Sequence, residues 1–442
     1  MRKIATALLT ASLFLLTACA NPAVSPSLSD SLPPPIGIET EETTTEADTE
    51  PPAPQPEREM RGVWVATVTN LNFPSRKGLS AAALAAELDA ILSVLSECGM
   101  NAIFFQVRPA SDSLYRSALF PASAVLSGTQ GVPPDGDFDP LAYLIEHTKP
   151  LGIDVYAWVN PLRVTTGSAA YPQQDLSKLA ESNPARQHPS YTVAYADGKC
   201  YYDCGLPEVR ALVAEGCREI AANYDIAGVI FDDYFYPYPV SGAVFDDAAS
   251  YAIYGNGLPL ADWRRANVNA LVEACYTAIK EADPACAFGI APFGIWQNDN
   301  GVNGGSATRG LEAYHSIYCD ALAWVEGGYI DFLAPQIYWS FDTAAAPFAT
   351  LADWWDTRLA DNGVKLYISH AAYKLSTWGN VNELERQITY LRMQTTCRGS
   401  ILYSYAALRD DLLSLRAVMA TLNESPLFFP PETEHNRKET IS

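Results

Sequence analysis

Histidine is scarce in this chain of 442 residues, which contains five, and no two of them stand in the paired spacing typical of zinc hydrolases. The nine cysteines are scattered and show no paired spacing of the zinc-ribbon kind. Because zinc sites in proteins are built from clustered His and Cys side chains, this composition argues against metal-dependent reactions such as deacetylation. We expect a protein without a metal or other cofactor.

Positive charge is the second shortage. The chain has 29 Lys and Arg against 51 Asp and Glu, a formal net charge of −22. Nucleic acids and anionic lipid surfaces attract basic proteins, so neither is expected as a direct partner. After residue 19, no apolar run reaches the length of about 20 residues that a membrane-spanning helix needs.

Residues 1–19 have the pattern of an export signal. Arg2 and Lys3 provide a positive start, and residues 4–16 form an apolar segment too short to span a bilayer. The four residues that end at Cys19, Leu-Thr-Ala-Cys, have the form of a bacterial lipobox. We expect Cys19 to carry a lipid as the first residue of the mature protein; an ordinary signal peptide with an incidental cysteine is the alternative. The predicted location is outside the cell, anchored to the membrane and facing the cell wall.

The rest of the chain divides by composition into three parts. Residues 20–58 are rich in Pro, Ser, Thr and Glu, which predicts a disordered acidic tether because such a segment buries too little apolar surface to order itself. Residues 59–424 are long enough for one large barrel domain, and residues 425–442 form a polar tail. Cys200 and Cys204 are close enough in sequence for a small loop disulfide, whereas most other cysteines fit buried thiols.

Apolar strand patterns and amphipathic helical patterns alternate along the predicted domain. The eight strand candidates are 62–68, 102–109, 154–161, 228–235, 287–294, 330–339, 364–371 and 399–406. The helical candidates are 81–98, 208–223, 263–281, 311–325, 383–393 and 408–422. Eight strand–helix units predict an α/β fold, a closed (β/α)8 TIM barrel. A doubly wound open sheet is the alternative, but it usually has a glycine-rich phosphate loop after its first strand, and residues 69–74 contain no glycine.

The connecting segments are unequal in length. Those that follow the predicted strands are long at 110–138, 162–207 and 236–261, whereas those that precede strands are short, as at 99–101 and 152–153. Active sites of (β/α)8 enzymes lie at the carboxyl ends of the strands and are built from the loops there. The lengths therefore predict a groove at that end, used for catalysis or for ligand binding alone.

The fourth strand candidate ends in two adjacent carboxylates. Residues 228–231 are apolar, and Asp232 and Asp233 follow directly. A turn or a helix N-cap is the simpler interpretation, since Asp favours both. The carboxyl end of a barrel strand is, however, where acid–base chemistry is placed. We therefore assign Asp232 and Asp233 as catalytic candidates.

The other strand ends carry aromatic rings, amides, guanidinium groups and one histidine. Together these types suit a sugar, because ring faces cover C–H surfaces and planar polar groups hydrogen-bond hydroxyls. Each residue alone also fits a packing or ion-paired role, but all fall at the same end of the predicted strands. The substrate-binding candidates are Arg108, Asn160, Arg163, Tyr234, Trp296, Gln336, Tyr338, Trp339 and His370.

Several ordered segments carry a family resemblance. They are 61–65, 105–109, 231–237, 262–269, 292–296, 335–339 and 366–370. With them, nearly all of residues 59–422 resembles the glycosyl-hydrolase-like TIM-barrel family of bacterial cell-envelope lipoproteins. The resemblance implies a glycoside hydrolase that acts on a bacterial polysaccharide, with peptidoglycan glycan strands as the substrate.

The chain departs from the family pattern in four places. Ala227 stands where the family usually has Asp, and Ile230 stands where it has His, two residues before the Asp pair. Asp203 and Cys204 replace an Asn-Pro, and Gln297 replaces an Arg. If the missing His lines the site, the substrate preference or the activity differs from the family's.

Glycoside hydrolysis needs a carboxylic acid that protonates the leaving oxygen and a carboxylate that acts as nucleophile or base. Asp232 is assigned as nucleophile or electrostatic stabiliser, and Asp233 as proton donor or as the group that orients Asp232. Neighbours in a regular strand point to opposite faces, so the two converge only if the strand ends or bulges between them. Other acids that could serve as donor are Asp112, Asp299, Glu326 and Asp342.

A substrate-assisted route is the second mechanism that fits. In it the 2-acetamido group of an N-acetyl sugar attacks, the Asp pair orients that group, and Tyr338 hydrogen-bonds its carbonyl. The alternative function is a non-catalytic glycan-binding lipoprotein that uses the same groove. Release of new reducing ends from purified glycan separates hydrolysis from binding.

Overall fold

The strand–helix alternation predicts the observed architecture, which is a closed barrel of eight parallel strands. The computed structural model describes residues 56–380 and 382–429, so the expected signal peptide with Cys19, nearly all of the tether and most of the tail lie outside the described residues. The strands are β1 (Met60–Val65), β2 (Ala102–Arg108), β3 (Asp154–Val159), β4 (Gly228–Phe231), β5 (Ala287–Ile290), β6 in two pieces (Phe332–Leu333 and Gln336–Ile337), β7 (Lys365–Ala371) and β8 (Cys397–Tyr403). Neighbours pair in chain order, and β8 returns to pair with β1.

A helix follows every strand and covers the outside of the barrel. The helices are α1 (Ala81–Glu97), α2 (Pro140–Thr148), α3 (Pro207–Asn223), α4 (Leu260–Ala282), α5 (Ala321–Gly327), α6 (Phe348–Arg358), α7 (Asn382–Leu391) and α8 (Leu415–Leu422). Shorter helical turns lie in the connections at Ala124–Ser127, Pro184–Gln187, Ala248–Tyr254, Ala313–Ser316, Leu375–Trp378 and Tyr405–Arg409. The predicted (β/α)8 fold is confirmed.

Local sequence explains where several helices begin. The Ser80 hydroxyl accepts from the Ala83 N–H at the start of α1, and the Asp139 carboxylate accepts from the Ala142 N–H at the start of α2. These side chains satisfy N–H groups that have no partner within the helix. Pro207 occupies the first turn of α3, where a missing N–H costs nothing.

Two predicted helices are interrupted, and the predictions of continuous helices over 311–325 and 408–422 were wrong. The first breaks because Tyr318 adopts a positive φ of 56° between the turn Ala313–Ser316 and α5. The second breaks because Leu413 and Ser414 have φ of 52° and 62° just before α8. The apolar spacing in both segments fits a continuous helix and an interrupted one equally well. Periodicity therefore could not show the residues with positive φ that break these helices.

Side chains alternate between the barrel interior and the layer under the helices, as a strand requires. On β4, Ile230 points inward and joins an interior cluster with Phe104 and Phe332, while its neighbours Val229 and Phe231 pack outward under the helices. This interior cluster fills the barrel below its carboxyl end, so the barrel is a packed core and not a pore.

Long loops at the carboxyl ends complete the architecture. The loop after β3 contains a small antiparallel hairpin, Thr192–Ala194 with Cys200–Tyr202. Cys200 and Cys204 are separate buried thiols, and their sulfurs face the carbonyl oxygens of Gln174 and Asn267. Near the two ends of the described chain, Glu57–Arg58 and Phe428–Phe429 pair as short antiparallel strands. None of the helices in the described ranges is both long and apolar enough to cross a membrane.

Candidate active site

A cavity of about 430 Å³ opens where the carboxyl ends of the barrel strands meet. Most of the residues that line it are aromatic, and they come from seven different strands or the segments that follow them. The lining residues are Trp64, Trp158, Asp232, Asp233, Tyr234, Tyr238, Phe293, Gln336, Tyr338, Trp339, Tyr373, Lys374 and Tyr403. Aromatic walls with few polar groups are typical of a site for a sugar ring.

Asp232 is held by donors from β3 and from its own turn. Trp158 Nε1 donates to Oδ2 at 3.0 Å, and the Asn160 amide donates to both carboxylate oxygens at 3.1 and 3.2 Å. The backbone N–H of Tyr234 donates to Oδ1 at 3.2 Å. Burial raises the pKa of Asp232, and the positive charge of Arg163 and these hydrogen bonds oppose that shift. The carboxylate is therefore fixed in one orientation by its donors.

Asp233 has a different environment. The Tyr238 hydroxyl donates to its Oδ2. Burial first, and the negative charge of Asp232 second, raise the pKa of Asp233 from its ordinary value of 3.8 to about 6, although hydrogen bonds from Tyr238 and Gln336 act in the opposite direction. A carboxyl group with a pKa of about 6 is protonated in about half of the molecules at pH 6 and in roughly a tenth at pH 7, so it can act as a general acid in this range.

Both carboxylates line the same cavity because β4 ends before them. The strand stops at Phe231, and Asp233 lies in a bend, so the strict alternation of a strand no longer applies. The predicted strand over 228–235 was therefore too long by four residues. Of the two conditions under which the pair could converge, the end of the strand is the one that the structure meets.

Asn160 and Arg163 lie behind the cavity wall. Asn160 uses its amide to hold Asp232, and its side-chain oxygen accepts from the backbone N–H of Arg163 at 2.9 Å. The Arg163 guanidinium lies 4.4 Å from the centre of the Tyr234 ring and donates to the carbonyl of Pro109. These two residues position Asp232 and Tyr234, and both of those line the cavity. The predicted residues Gln336, Tyr338 and Trp339 line it as well.

Arg108 was expected in the mouth but lies outside it. The register of β2 against β3 shifts between Gln106 and Arg108, and such an irregularity re-aims the side chain that follows. The guanidinium is fully buried beside Gly216 of α3 and lies 4.4 Å from the centre of the Phe120 ring. The shift at the end of β2 is the reason for the difference.

His370 does not reach the cavity either. It follows the inward-pointing Ser369 on β7, so it points outward, where its ring nitrogens pair with Gln387 of α7 at 2.8 Å and Ser400 of β8 at 3.0 Å. Burial lowers the pKa of His370 to about 4. This is the environment of a neutral, hydrogen-bonded packing residue.

Trp296 also lies outside the cavity. Its Nε1 donates to Asp320 at 3.0 Å, and its ring stacks on Trp354 of α6 with the ring centres 5.9 Å apart. It stands three residues beyond Phe293, which is the cavity residue that follows β5. The loop after β5 thus carries Trp296 away from the barrel axis.

Sequence reasoning missed several lining residues. Trp64 is an inward residue of β1, and the alternation of that strand was the only signal available for it. Tyr238 lies beyond the assigned motif, in the loop that follows the Asp pair. Phe293, Tyr373 and Tyr403 follow β5, β7 and β8, where strand-end position alone could have identified them.

The other acids considered as proton donors do not line the cavity. Asp112 is buried in the loop after β2, where Gln130 donates to it and burial raises its pKa. Asp299, Glu326 and Asp342 are exposed. Within residues 56–380 and 382–429, Asp232 and Asp233 are the carboxylates of this cavity. The same part of the chain holds no group of three or more His, Cys, Asp or Glu side chains placed to bind a metal ion.

Comparisons with known proteins agree with this arrangement. The family model described as glycosyl hydrolase-like 10 matches residues 59–385. Glycosyl hydrolase YngK of Bacillus subtilis (strain 168) is 40% identical over 85% of this chain and 74% of its own length. Glycosyl hydrolase DigH of Escherichia coli (strain K12) is 33% identical over 84% of this chain and 88% of its own length.

Among solved structures, the glycoside hydrolase domain of PgaB (BpsB) from Bordetella bronchiseptica aligns with a TM-score of 0.49 at 14% identity, over 82% of this chain and 99% of that chain. A likeness this weak carries no information on substrate. The family match and the two sequence relatives are sufficient to assign the family. The chain belongs to the glycosyl hydrolase-like 10 family, and it is a glycosidase.

Proposed function

We propose that this glycosidase cleaves the glycan strands of peptidoglycan, as an exported protein attached to the membrane through a lipid on Cys19 and facing the cell wall. The export signal, the lipobox and the acidic tether in residues 1–58 support the location. The resemblance of residues 59–422 to envelope lipoproteins supports the substrate. The main observation in support of glycosidic hydrolysis is the pair of carboxyl groups, Asp232 and Asp233, in the aromatic cavity, the second with a pKa raised to about 6.

In the proposed reaction Asp233 protonates the glycosidic oxygen as the bond breaks. Its pKa of about 6 leaves it protonated in a substantial fraction of molecules near neutral pH. Asp232, fixed by Trp158 and Asn160, presents a carboxylate to the positive charge that develops at the anomeric carbon. The aromatic walls hold the sugar faces and exclude water from the reacting bond.

The adjacency of the two carboxylates favours the substrate-assisted route. Direct displacement uses carboxylates that flank the scissile bond, with separations of roughly 5–9.5 Å across the sugar. Here both side chains come from neighbouring positions after one strand, and no third carboxylate of the described chain lines the cavity. The 2-acetamido group of an N-acetyl sugar then supplies the nucleophile, which is its carbonyl oxygen. Asp232 accepts a hydrogen bond from the acetamido N–H and so orients that group. Peptidoglycan sugars carry this group.

The first experiment compares Asp233→Asn and Asp232→Asn on purified glycan strands, with new reducing ends as the measurement. Each substitution is expected to lower turnover by at least about a hundredfold. Asp342→Asn, which alters an exposed acid outside the cavity, is the matched control and should retain full activity. Unchanged rates in both active-site variants would falsify the assignment, and retention of polymer by wild type without new reducing ends would contradict the proposed hydrolysis and favour a glycan-binding protein.

A second measurement separates the roles of the two residues. On an aryl N-acetylglycoside with an acidic phenol as leaving group, no proton donor is needed, so Asp233→Asn should recover most of its lost rate while Asp232→Asn should not. A matching aryl glycoside without the acetamido group should be inert to wild type. Cleavage of that second compound at a comparable rate would exclude the substrate-assisted route.

A further inference from the structure

Among the described residues that line the cavity, Lys374 is the one basic side chain. It lies in the turn Ala372–Lys374, directly after β7, whereas the Asp pair follows β4, three strands away around the ring. The cation and the catalytic carboxylates therefore approach a bound sugar chain from different walls of the cavity.

Among the residues that the structure describes, no carboxylate forms an ion pair with Lys374. Its Nζ donates to the carbonyl oxygen of Tyr338 at 2.7 Å, which is a hydrogen bond to a neutral group. Burial lowers the pKa of Lys374, and no charged neighbour among the described residues contributes to that shift. A partly buried ammonium group without a counter-ion is available to pair with an anionic ligand that enters the cavity.

Lys374 is a positive charge in a negatively charged molecule, and it shares the cavity with two carboxyl groups. The chain has a formal net charge of −22, and the cavity itself contains Asp232 and Asp233. An anionic sugar would be repelled by such a site in the absence of a local positive charge, because like charges at short range oppose binding.

We propose that Lys374 pairs with a carboxylate carried by the bound glycan, close to the bond that is cleaved. The inference rests on the proposed function, since in peptidoglycan strands without stem peptides this carboxylate is that of the lactyl group on N-acetylmuramic acid. Lys374 then selects acidic amino-sugar chains over neutral ones and sets the position of the muramic unit relative to Asp233. The hydrogen bond to the Tyr338 carbonyl orients the ammonium group for this contact.

Binding of a product-sized ligand tests the proposal directly. The probes are N-acetylglucosaminyl–N-acetylmuramic acid and its methylamide, which have nearly the same shape but differ in charge. Quenching of tryptophan fluorescence can report binding, since Trp64, Trp158 and Trp339 line the cavity. Wild type is expected to bind the free acid about tenfold more tightly than the amide. Lys374→Met should bind both equally, at the weaker level.

Two variants complete the design. Lys374→Arg retains the charge and should retain preference for the free acid. Lys149→Met removes an exposed lysine that pairs with Asp225 on the outside of the barrel, and it should behave as wild type. A wild type without charge preference, or one that binds neither probe, overturns the proposal. So does a Lys374→Met variant that weakens both probes by the same factor, because this would indicate a purely structural role.

Hydrolysis of whole glycan strands by wild type is measured in parallel. If wild type cleaves the strands but binds acid and amide equally, Lys374 has no role in charge selection and the proposed function stands. If wild type binds the acid selectively through Lys374 but releases no new reducing ends, the proposed hydrolysis of peptidoglycan fails and the anion site stands.

Discussion

Asp232 and Asp233 are neighbours in the chain, yet their surroundings assign them different tasks. Burial raises the pKa of both carboxyl groups, but the donors from β3 oppose that shift at Asp232, whereas the charge of Asp232 adds to it at Asp233. Two carboxyl groups with different environments are the usual basis for an acid paired with a carboxylate that stays ionised. Tyr238 lowers the pKa of Asp233, because its hydroxyl donates to the ionised form of that carboxyl group and stabilises it.

Tyr238→Phe is expected to move the pH profile in a defined direction. In the proposed mechanism Asp233 acts in its protonated form, so we expect turnover to fall as pH rises through its pKa of about 6. Loss of the Tyr238 donor removes an interaction that favours the charged form, which raises this pKa further. The alkaline limb of kcat against pH should therefore move up by about one unit.

The matched control for this variant is Tyr171→Phe, which alters a tyrosine that is 81% exposed and outside the cavity. It should leave the pH profile in place. A downward shift of the alkaline limb in Tyr238→Phe would mean that Asp233 is not the proton donor, and a lower rate without any shift would indicate that Tyr238 acts only by contact with the sugar.

Strand-end position identified the Asp pair, but it could not say which other strand-end residues point into the mouth. His370 and Ser369 are one position apart on β7, and the parity of the strand directs one to the helices and the other to the interior. Arg108 is redirected by a register shift that no periodicity shows. Ile230, where the resembled family has His, points into the interior cluster and lies below the cavity rather than on its wall.

At the scale of elements, the loop after β4 depends on a buried ion pair. Asp247 in this loop accepts from Arg264 of α4 at 2.6 and 2.7 Å, and both side chains are nearly inaccessible to solvent. The same guanidinium lies over the rings of Tyr236 and Tyr318. Since Tyr238 is two residues from Tyr236, this ion pair helps to fix the hydroxyl that contacts Asp233.

Asp247→Asn should destabilise the protein by about 3 kcal/mol, because it leaves the Arg264 charge buried without its partner. Turnover should also fall at temperatures where the variant is folded, since the loop that carries Tyr238 is loosened. Urea unfolding and glycan hydrolysis are the measurements. Asp225→Asn, which breaks the exposed pair with Lys149, is the control and should cost less than about 1 kcal/mol. Equal stability of Asp247→Asn and wild type would contradict this role.

At the scale of the whole molecule, the active site opposes stability. The cavity is an opening in the packed end of the barrel, and it contains a carboxyl group whose folded pKa of about 6 lies above its ordinary 3.8. Such a group binds its proton more tightly in the folded state. Its contribution to the free energy of unfolding is therefore fully present below about pH 4 and is lost as pH rises through about 6.

Asp233→Asn should consequently be more stable than wild type at pH 7, by up to about 3 kcal/mol, while it is inactive on glycan. Asn cannot ionise, so the cost of the buried charge disappears. The difference should shrink to near zero at pH 4, where Asp233 is protonated in wild type. Thermal unfolding at the two pH values is the measurement, and a variant that is less stable than wild type at pH 7 would show that Asp233 is not held at a raised pKa.

The sequence by itself determined the fold class and the position of the two candidate carboxylates. Eight alternations of apolar strands and amphipathic helices have few packed solutions other than a (β/α)8 barrel. The apolar run that ends at Phe231 places Asp232 and Asp233 at the carboxyl end of β4. Both features depend on local periodicity, which a single sequence displays.

Only the tertiary structure decided which side chains meet. The end of β4 at Phe231 turns both carboxylates to one cavity, the register shift before Arg108 removes that residue from it, and the turn after β7 brings Lys374 to its wall. The raised pKa of Asp233 likewise depends on burial by residues distant in the chain. These properties arise from contacts between separate strands and loops, and such contacts leave no periodic trace in the sequence.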